Sequence, residues 1–161
     1  MEYLEIERKF LIRSSEYRIQ AIDKVNITQG FLNTHPERTV RIRITGNAAF
    51  LTVKGIGNDS GTTRFEWETA IKPSEATKLL ALCEDFPIQK IRYQVPFLGN
   101  IFEVDEFHEH NKGLIVAEIE LPHENAFFEK PDWLGDEVTG QPQYYNSQLS
   151  KQPYTTWPKK E

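Results

Sequence analysis

Apolar and polar residues alternate with a period of two along most of this chain. The alternating segments fall at about residues 2 to 12, 25 to 33, 38 to 45, 48 to 55, 62 to 71, 88 to 97, 100 to 108 and 114 to 122. A strand sends successive side chains to opposite faces, so the pattern predicts eight strands. The links between them are short, such as "THPE" at 34 to 37 and "GN" at 46 and 47. Parallel neighbours need long crossovers, so the expected sheet is antiparallel and mainly a meander. The period changes at "PSEATKLLALCED", residues 73 to 85. There Pro73 and Ser74 suit a helix start, and Ala76, Leu79, Leu80 and Cys83 share one apolar face. Weaker helical signals lie at 14 to 22 and 143 to 150, and the ending "KQPYTTWPKKE" is read as irregular. The expected organisation is one domain over residues 1 to 150 with an irregular tail over 151 to 161.

The polar face of these strands is charged almost throughout. It begins with Glu5, Glu7 and Lys9 and continues with Arg41 and Arg43, Lys54, then Arg64, Glu66 and Glu68. Lys90 and Arg92, Glu103 and Asp105, and Glu118 and Glu120 complete it. The opposite face is apolar: Leu4, Ile6 and Phe10 on the first strand, Val40, Ile42 and Ile44 on the third, Phe102 and Val104 on the seventh. An ordinary solvent-facing sheet surface is the simplest reading of such alternation. Two features argue for an enclosed face instead. Neighbours along a strand are mostly like-signed, about 6.6 Å apart and within a Debye length, so they repel unless a counter-charge or ligand lies between them. The face also balances, with eight acids against seven bases. Eight strands can close into a barrel around one small ligand, with the charged face inside and the apolar face outside under the helices. The predicted class is therefore α+β, mainly β: a closed eight-stranded antiparallel barrel with a charged interior and a few covering helices.

Such an interior suits particular chemistry. Guanidinium groups pair bidentately with phosphate oxygens, so a sector of Arg and Lys fits a chain of phosphates. Carboxylate oxygens bind hard divalent cations, which bridge phosphate oxygens that the carboxylates would repel.

Composition narrows the picture without changing it. The chain has 161 residues, 39% hydrophobic and 27% charged, enough for one globular core. A net charge of −5 argues against a general nucleic-acid binder. Cys83 is the single cysteine, which leaves no intramolecular disulfide and no cysteine zinc site. The start "MEYLEIERKF" is acidic and no apolar run reaches membrane-spanning length, so the chain is expected to be soluble, unanchored and cytoplasmic.

The ordered set "EIERK" (an ExExK pattern), "RIR", "TVK", "RFEWE", "KIRY", "FEVDEF" and "AEIE" resembles the CYTH, or triphosphate tunnel metalloenzyme, superfamily over nearly the whole chain. "QGFLNTHPERTVRIRI" and "DWLGDEVTGQPQYYNSQL" are similar to its short bacterial members. The resemblance implies an eight-stranded tunnel around a triphosphate, with Mg²⁺ or Mn²⁺ as cofactor. Superfamily activities are inorganic triphosphatase, thiamine triphosphatase, RNA 5′-triphosphatase and class IV adenylyl cyclase, and the short bacterial branch mostly favours tripolyphosphate. It implies that Glu5, Glu7, Glu118 and Glu120 hold the metal, with Lys9, Glu118 and Glu120 catalytic. Lys9, Arg41, Arg43, Lys54 and Arg92 would hold phosphate oxygens, and Arg64 and Lys90 belong to the same basic set. Glu66, Glu68, Glu103 and Asp105 would complete the tunnel as ligands or as partners that orient the bases. Monomer and homodimer are both compatible with it, and neither nucleic acid nor membrane is expected as a partner.

Other signals point to structure. "KGIGNDSGTTR" lacks the ending of a phosphate-binding P-loop and reads as a hairpin loop. His108 and His110 fall at a turn, His35 and His123 beside prolines in loops, and Cys83 reads as a buried structural thiol. Trp133, Tyr144 and Tyr145 read as aromatic anchors of a covering segment, with Tyr144 or Asn146 near the ligand edge by the family resemblance. The leading expectation is hydrolysis of inorganic tripolyphosphate to pyrophosphate and phosphate. Adenylyl cyclase or thiamine triphosphatase chemistry on the same fold is the first alternative, and non-catalytic binding of polyphosphate or nucleotide the second. A lipocalin-like barrel would need the apolar face inside, so the placement of Glu5 and Arg41 decides against or for it.

Overall fold

The computed structural model describes residues 3 to 159. It contains strands β1 (Leu4–Ile12), β2 (Asp23–Asn33), β3 (Arg38–Thr45), β4 (Ala48–Gly55) and β5 (Thr63–Ile71). After them come β6 (Glu84–Phe97), β7 (Asn100–Phe107), β8 (Ile115–Glu120) and β9 (Leu134–Glu137). Three short helices accompany them: α1 (Tyr17–Gln20), α2 (Pro73–Leu80) and α3 (Asn146–Leu149). The sheet order is β5-β4-β3-β2-β6-β7-β8-β1-β9, and an additional β5–β1 pairing closes β1 to β8 into a barrel. All pairings are antiparallel. Two meanders, β2 to β5 and β6 to β8, are joined through α2, and β1 seals the seam between β8 and β5. No helix of the described residues is long and apolar enough to cross a membrane.

The charged face lies inside. Glu5 and Lys54 are buried and bonded to each other across the interior, which excludes the apolar-lined alternative. The apolar face points outward and is covered in two patches. On β6, β7, β8 and β1, residues Phe10, Tyr93, Phe102, Val104 and Ile119 pack under Tyr17 of α1 and under Phe128 and Trp133 from the long segment after β8. That segment is pinned by Trp133 Nε1 donating to Gln20 Oε1 at 2.9 Å. On β3 and β4, Ile42, Ala49 and Leu51 pack under Ala76, Leu79 and Leu80 of α2. Glycine is required where α2 is followed by Cys83: a Cβ on Gly30 would lie 2.9 Å from the Cys83 Sγ.

The interior is not charged from end to end. At one end Leu11, Ile88, Phe107 and Val116 form an apolar floor, closed from below by Leu114, Leu149, Tyr144, Tyr154 and Trp157. The tail expected to be irregular thus contributes a short 3-10 turn, Tyr154–Thr156, and two aromatic rings to this floor.

The elements depart from expectation in three places. Strand β9 was not anticipated: four residues, "LGDE", give too short an alternation to register. It pairs with the end of β1 where β5 leaves it, and Arg8 fixes it through Glu137 at 2.6 and 2.8 Å. The helix expected to include Cys83 stops at Leu80, so Cys83 packs from the following turn, half-buried rather than buried. The helical signals at 14 to 22 and 143 to 150 shrink to α1 and to a 3-10 turn, Pro142–Tyr144, followed by α3.

Candidate active site

Every charged residue assigned above to the repeating face, except Asp105, lines one cavity of about 220 Å³. The lining follows from register. On β1 and β8, Glu7 stands opposite Glu120 and Lys9 opposite Glu118; on β3 and β4, Arg41 stands opposite Thr52. The cavity therefore has an acidic wall on β1 and β8 and a basic wall on β3, β4 and β6.

The acidic wall is under-compensated. Carboxylate oxygens of Glu5, Glu7 and Glu120 lie within 4.8 Å of one another. Burial, then the Glu118 and Glu5 charges, push the Glu7 carboxyl well above the usual range. Burial, followed by Glu5, Glu103 and Glu118, raises Glu120 as well. Glu5 and Glu118 go the other way. Burial works against ionisation in both, but Lys54 and Arg64 hold Glu5 low, and Lys9, Arg92 and Lys90 hold Glu118 low. The Glu5 carboxylate accepts two bonds from Lys54 Nζ, each 2.9 Å, and Arg64 Nε lies 3.5 Å away. Glu66 reaches the same Lys54 at 3.2 Å. Three crowded carboxylates, two of them held toward the protonated form, are a donor set that fits a hard divalent cation.

The basic wall is short of anions. Arg41 donates from Nη2 to Thr52 Oγ1 at 3.1 Å and lies 3.5 Å from Glu68, while its buried Nε has no hydrogen-bond partner among the described residues. Burial, with Arg92 beside it, pushes the Arg41 guanidinium down, and burial with Arg41 and Arg92 pushes Arg43 down to about 9. Buried donors left unpaired cost stability, so this wall accommodates an anion better than it accommodates nothing. Lys9 sits at the boundary, 3.9 Å from Glu118 and 3.4 Å from the Tyr144 carbonyl.

Beneath the walls the charges are satisfied. Asp105 accepts from Arg92 at 2.8 and 2.9 Å and from Lys90 at 2.8 Å. Glu103 adds a contact to Arg92 at 3.3 Å and accepts from Gln94 at 3.0 Å. Despite burial, Arg92 and Lys90 keep the Asp105 carboxyl below the usual range. Burial pushes the Lys90 ammonium down to about 7, against the pull of Asp105.

A neighbouring cavity of about 210 Å³ shares Glu5, Glu7, Lys9 and Arg64 with the tunnel and is otherwise lined by uncharged groups. It lies between the β4–β5 loop and residues 139 to 148. The glycine-rich stretch is this hairpin loop, organised by Asn58 Oδ1 accepting from the backbone of Thr62 and Thr63 at 3.0 and 3.1 Å. Its contact with the C-terminal segment needs glycine on both sides: a Cβ on Gly61 would fall 2.4 Å from the Gly140 Cα. The "HEH" stretch forms an exposed turn away from the cavity, with His110 stacked on Phe86 at 4.0 Å. Inside the barrel, reasoning from charge missed Gln29, fully buried between Arg43 and Asn146. Its only signal was a polar residue on an interior-facing position of β2, a strand with no interior charge.

Closed antiparallel barrel, acidic wall, anion-deficient basic wall and satisfied floor together define a protein with a charged tunnel. The chain belongs to the CYTH domain family, whose match runs over residues 3 to 154. An inorganic triphosphatase of Acetivibrio thermocellus is 46% identical over 151 residues, covering 93% of this chain and 95% of that protein. An inorganic triphosphatase of Nitrosomonas europaea is 34% identical, covering 91% and 96%. The crystal structure of the inorganic triphosphatase NE1496 superposes with a TM-score of 0.63 at 32% identity, covering 91% of this chain and 97% of that one.

Proposed function

We propose that this protein hydrolyses a triphosphate, with inorganic tripolyphosphate as its substrate and Mg²⁺ or Mn²⁺ as its cofactor. The observation that carries the reading is the pairing across one cavity of the Glu5, Glu7 and Glu120 cluster with the orphaned Arg41 Nε. The similarity to the inorganic triphosphatases of Acetivibrio thermocellus and Nitrosomonas europaea supports it.

Arg41, Arg43, Lys54 and Arg92 bind the phosphate chain, and Arg64 and Lys90 add to the positive field around it. Glu5, Glu7 and Glu120, with Glu118 beside them, would hold the metal. When bound, the cation neutralises phosphate charge and polarises the terminal phosphoryl group. Glu118, kept ionised by Lys9 and its neighbours, accepts a hydrogen bond from the attacking water and orients it in line. Water oxygen bonds to a terminal phosphorus, the bridging phosphorus–oxygen bond opposite breaks, and pyrophosphate leaves as the water proton passes to the carboxylate set. Lys9 stabilises the negative charge that grows on the departing group.

The test is phosphate release from tripolyphosphate, ATP and thiamine triphosphate in parallel, each with Mg²⁺, Mn²⁺ or EDTA. Release that requires metal and is fastest from tripolyphosphate is the expected result. Faster release from an organic triphosphate, or cyclic AMP from ATP, moves the substrate assignment. Tight binding of tripolyphosphate without any turnover would make the protein a binder.

A further inference from the structure

The floor of the tunnel contains an uncharged bridge that reaches from the C-terminal turn to two of the bases. Gln29 projects inward from β2 and is fully buried. Its Oε1 accepts from Arg43 Nε at 2.9 Å, and its Nε2 donates to Asn146 Oδ1 at 2.8 Å. The same Asn146 oxygen accepts from Lys90 Nζ at 2.9 Å. The polarity of this chain is forced. Arg43 and Lys90 only donate, so both amides must turn an oxygen toward them, and Gln29 is left with its NH₂ for Asn146.

Asn146 is itself held from outside the barrel. It opens α3, whose Leu149 is fully buried against Ile88, Phe107, Leu114 and Val116. Ser150, one residue on, accepts from the Phe86 backbone at 3.2 Å. The turn before α3 reaches a third base: the Tyr144 carbonyl accepts from Lys9, and the Tyr145 ring lies 5.4 Å from the Lys9 ammonium. Among the described residues, the Arg43 guanidinium has its single hydrogen bond at Nε, to Gln29. That bond fixes the plane of the fork and leaves the terminal nitrogens to the cavity that Arg43 lines.

We propose that Asn146 and Gln29 are positioning residues, a relay through which the docked C-terminal turn sets the aim of Arg43 and Lys90 on the triphosphate. The relay rests on the triphosphatase reading above. It touches no reacting atom, so it acts on binding of the phosphate chain in ground state and transition state alike. Its loss appears in KM and leaves kcat nearly unchanged.

The experiment uses the full chain and compares Asn146→Ala, Asn146→Asp, Gln29→Leu and the Asn146→Ala/Gln29→Leu double variant. Tripolyphosphate hydrolysis with Mg²⁺ is measured beside calorimetric binding of tripolyphosphate in EDTA. Asn146→Ala and Gln29→Leu are each expected to raise KM and the EDTA Kd about tenfold, with kcat within about threefold of wild type. The double variant should be no worse than either single one, because the two residues act as one unit. Asn146→Asp keeps an acceptor for Lys90 and Gln29 but adds a negative charge to the cavity, so it should stay folded and bind tripolyphosphate no better than Asn146→Ala. Wild-type constants in a folded Asn146→Ala or Gln29→Leu, a loss confined to kcat, or full additivity in the double variant would each overturn the relay. Should Asn146→Ala fail to fold, Gln29→Leu gives the same readout from the barrel wall. Wild-type protein that neither binds nor cleaves tripolyphosphate would fail the functional reading first and take the relay with it. Normal wild-type turnover with unaltered variants fails the relay alone.

Discussion

The Lys90, Arg92 and Asp105 group and the Glu5, Glu7, Glu118 and Glu120 group sit in the same barrel, and both are built from charged residues on alternate strand positions. In the first, one carboxylate accepts three bonds of 2.8 to 2.9 Å from two bases. In the second, four carboxylates share Lys54, Arg64 and Lys9, and Glu7 is pushed toward its neutral form by burial and by its own neighbours. A buried ion group that satisfies itself holds a structure together, whereas one that cannot is held in place by the rest of the fold until a ligand completes it. Asp105 is therefore read as the scaffold that holds Lys90 and Arg92 facing the cavity they line, and the acidic wall as the part of the site that a ligand must complete, although composition alone would not separate them.

Removing one charge from each group should produce different kinds of loss. Glu118→Gln is expected to lower tripolyphosphate turnover about a thousandfold, since it removes the fixed anion that orients water. It should lower the melting temperature less than Asp105→Asn, because Glu118 meets Lys9 at 3.9 Å where Asp105 accepts three short bonds. A fully active Glu118→Gln protein that still required metal would take that residue out of the mechanism. Asp105→Asn leaves Lys90 and Arg92 buried without their counter-charge and should cost about 3 kcal/mol of stability. For a chain of this size that is a fall of roughly 6 to 12 °C in melting temperature. Denaturant melts decide it, and an Asp105→Asn protein as stable as wild type would mean that the floor is not the scaffold described here.

The reverse should hold on the acidic wall. Glu7→Gln removes a charge that the metal-free protein accommodates poorly, so in EDTA the variant should melt a few degrees higher than wild type. With Mg²⁺ the order should invert, because wild type gains from binding and the variant does not. A Glu7→Gln variant less stable than wild type in EDTA would show that the acidic wall is satisfied in ways its geometry does not reveal.

How much of this was legible in the chain follows from the same contrast. The barrel could be read because a charge at every second position is a strong and regular signal, and like-signed pairs such as Glu66 with Glu68 make little sense on an open surface. The eight strands fall where alternation put them, with β6 beginning four residues early at Glu84. The division into satisfied floor and frustrated wall was hidden, because it depends on which side chains meet across strands distant in sequence, as Lys54 meets Glu5. Gln29 was invisible to a reading that followed charge. The apolar floor was hidden too: Leu11, Ile88, Phe107 and Val116 keep the parity of the charged face and simply end it. Strand β9 and the packed tail depend on contacts with β1 and the floor that no local period encodes.

Acid should act on Glu7 and Glu120 with the sign opposite to its action on Asp105, and on Glu5 and Glu118 with the same sign as on Asp105. The difference is smaller than any single substitution above. Glu7 binds its proton more tightly in the folded protein than in the unfolded chain, whose carboxyl has the usual value of 4.5. Between its raised folded value and 4.5, the folded state carries more protons there, so stability falls as pH rises and grows as pH is lowered. Burial-raised Glu66 and Glu120 act in the same direction. Asp105 has a depressed value, so its contribution is complete above the unfolded value of 3.8 and disappears as pH falls through the folded one. Metal-free protein should accordingly melt higher at pH 5 than at pH 7.5 and lose stability only in stronger acid. Saturating Mg²⁺ should abolish or reverse the first slope, because a bound cation keeps the wall ionised. Melting curves in EDTA and in Mg²⁺ across this range test both signs together. A metal-free melting temperature that drops steadily from pH 7.5 to 5 would mean that the wall, like the floor, satisfies its own charge.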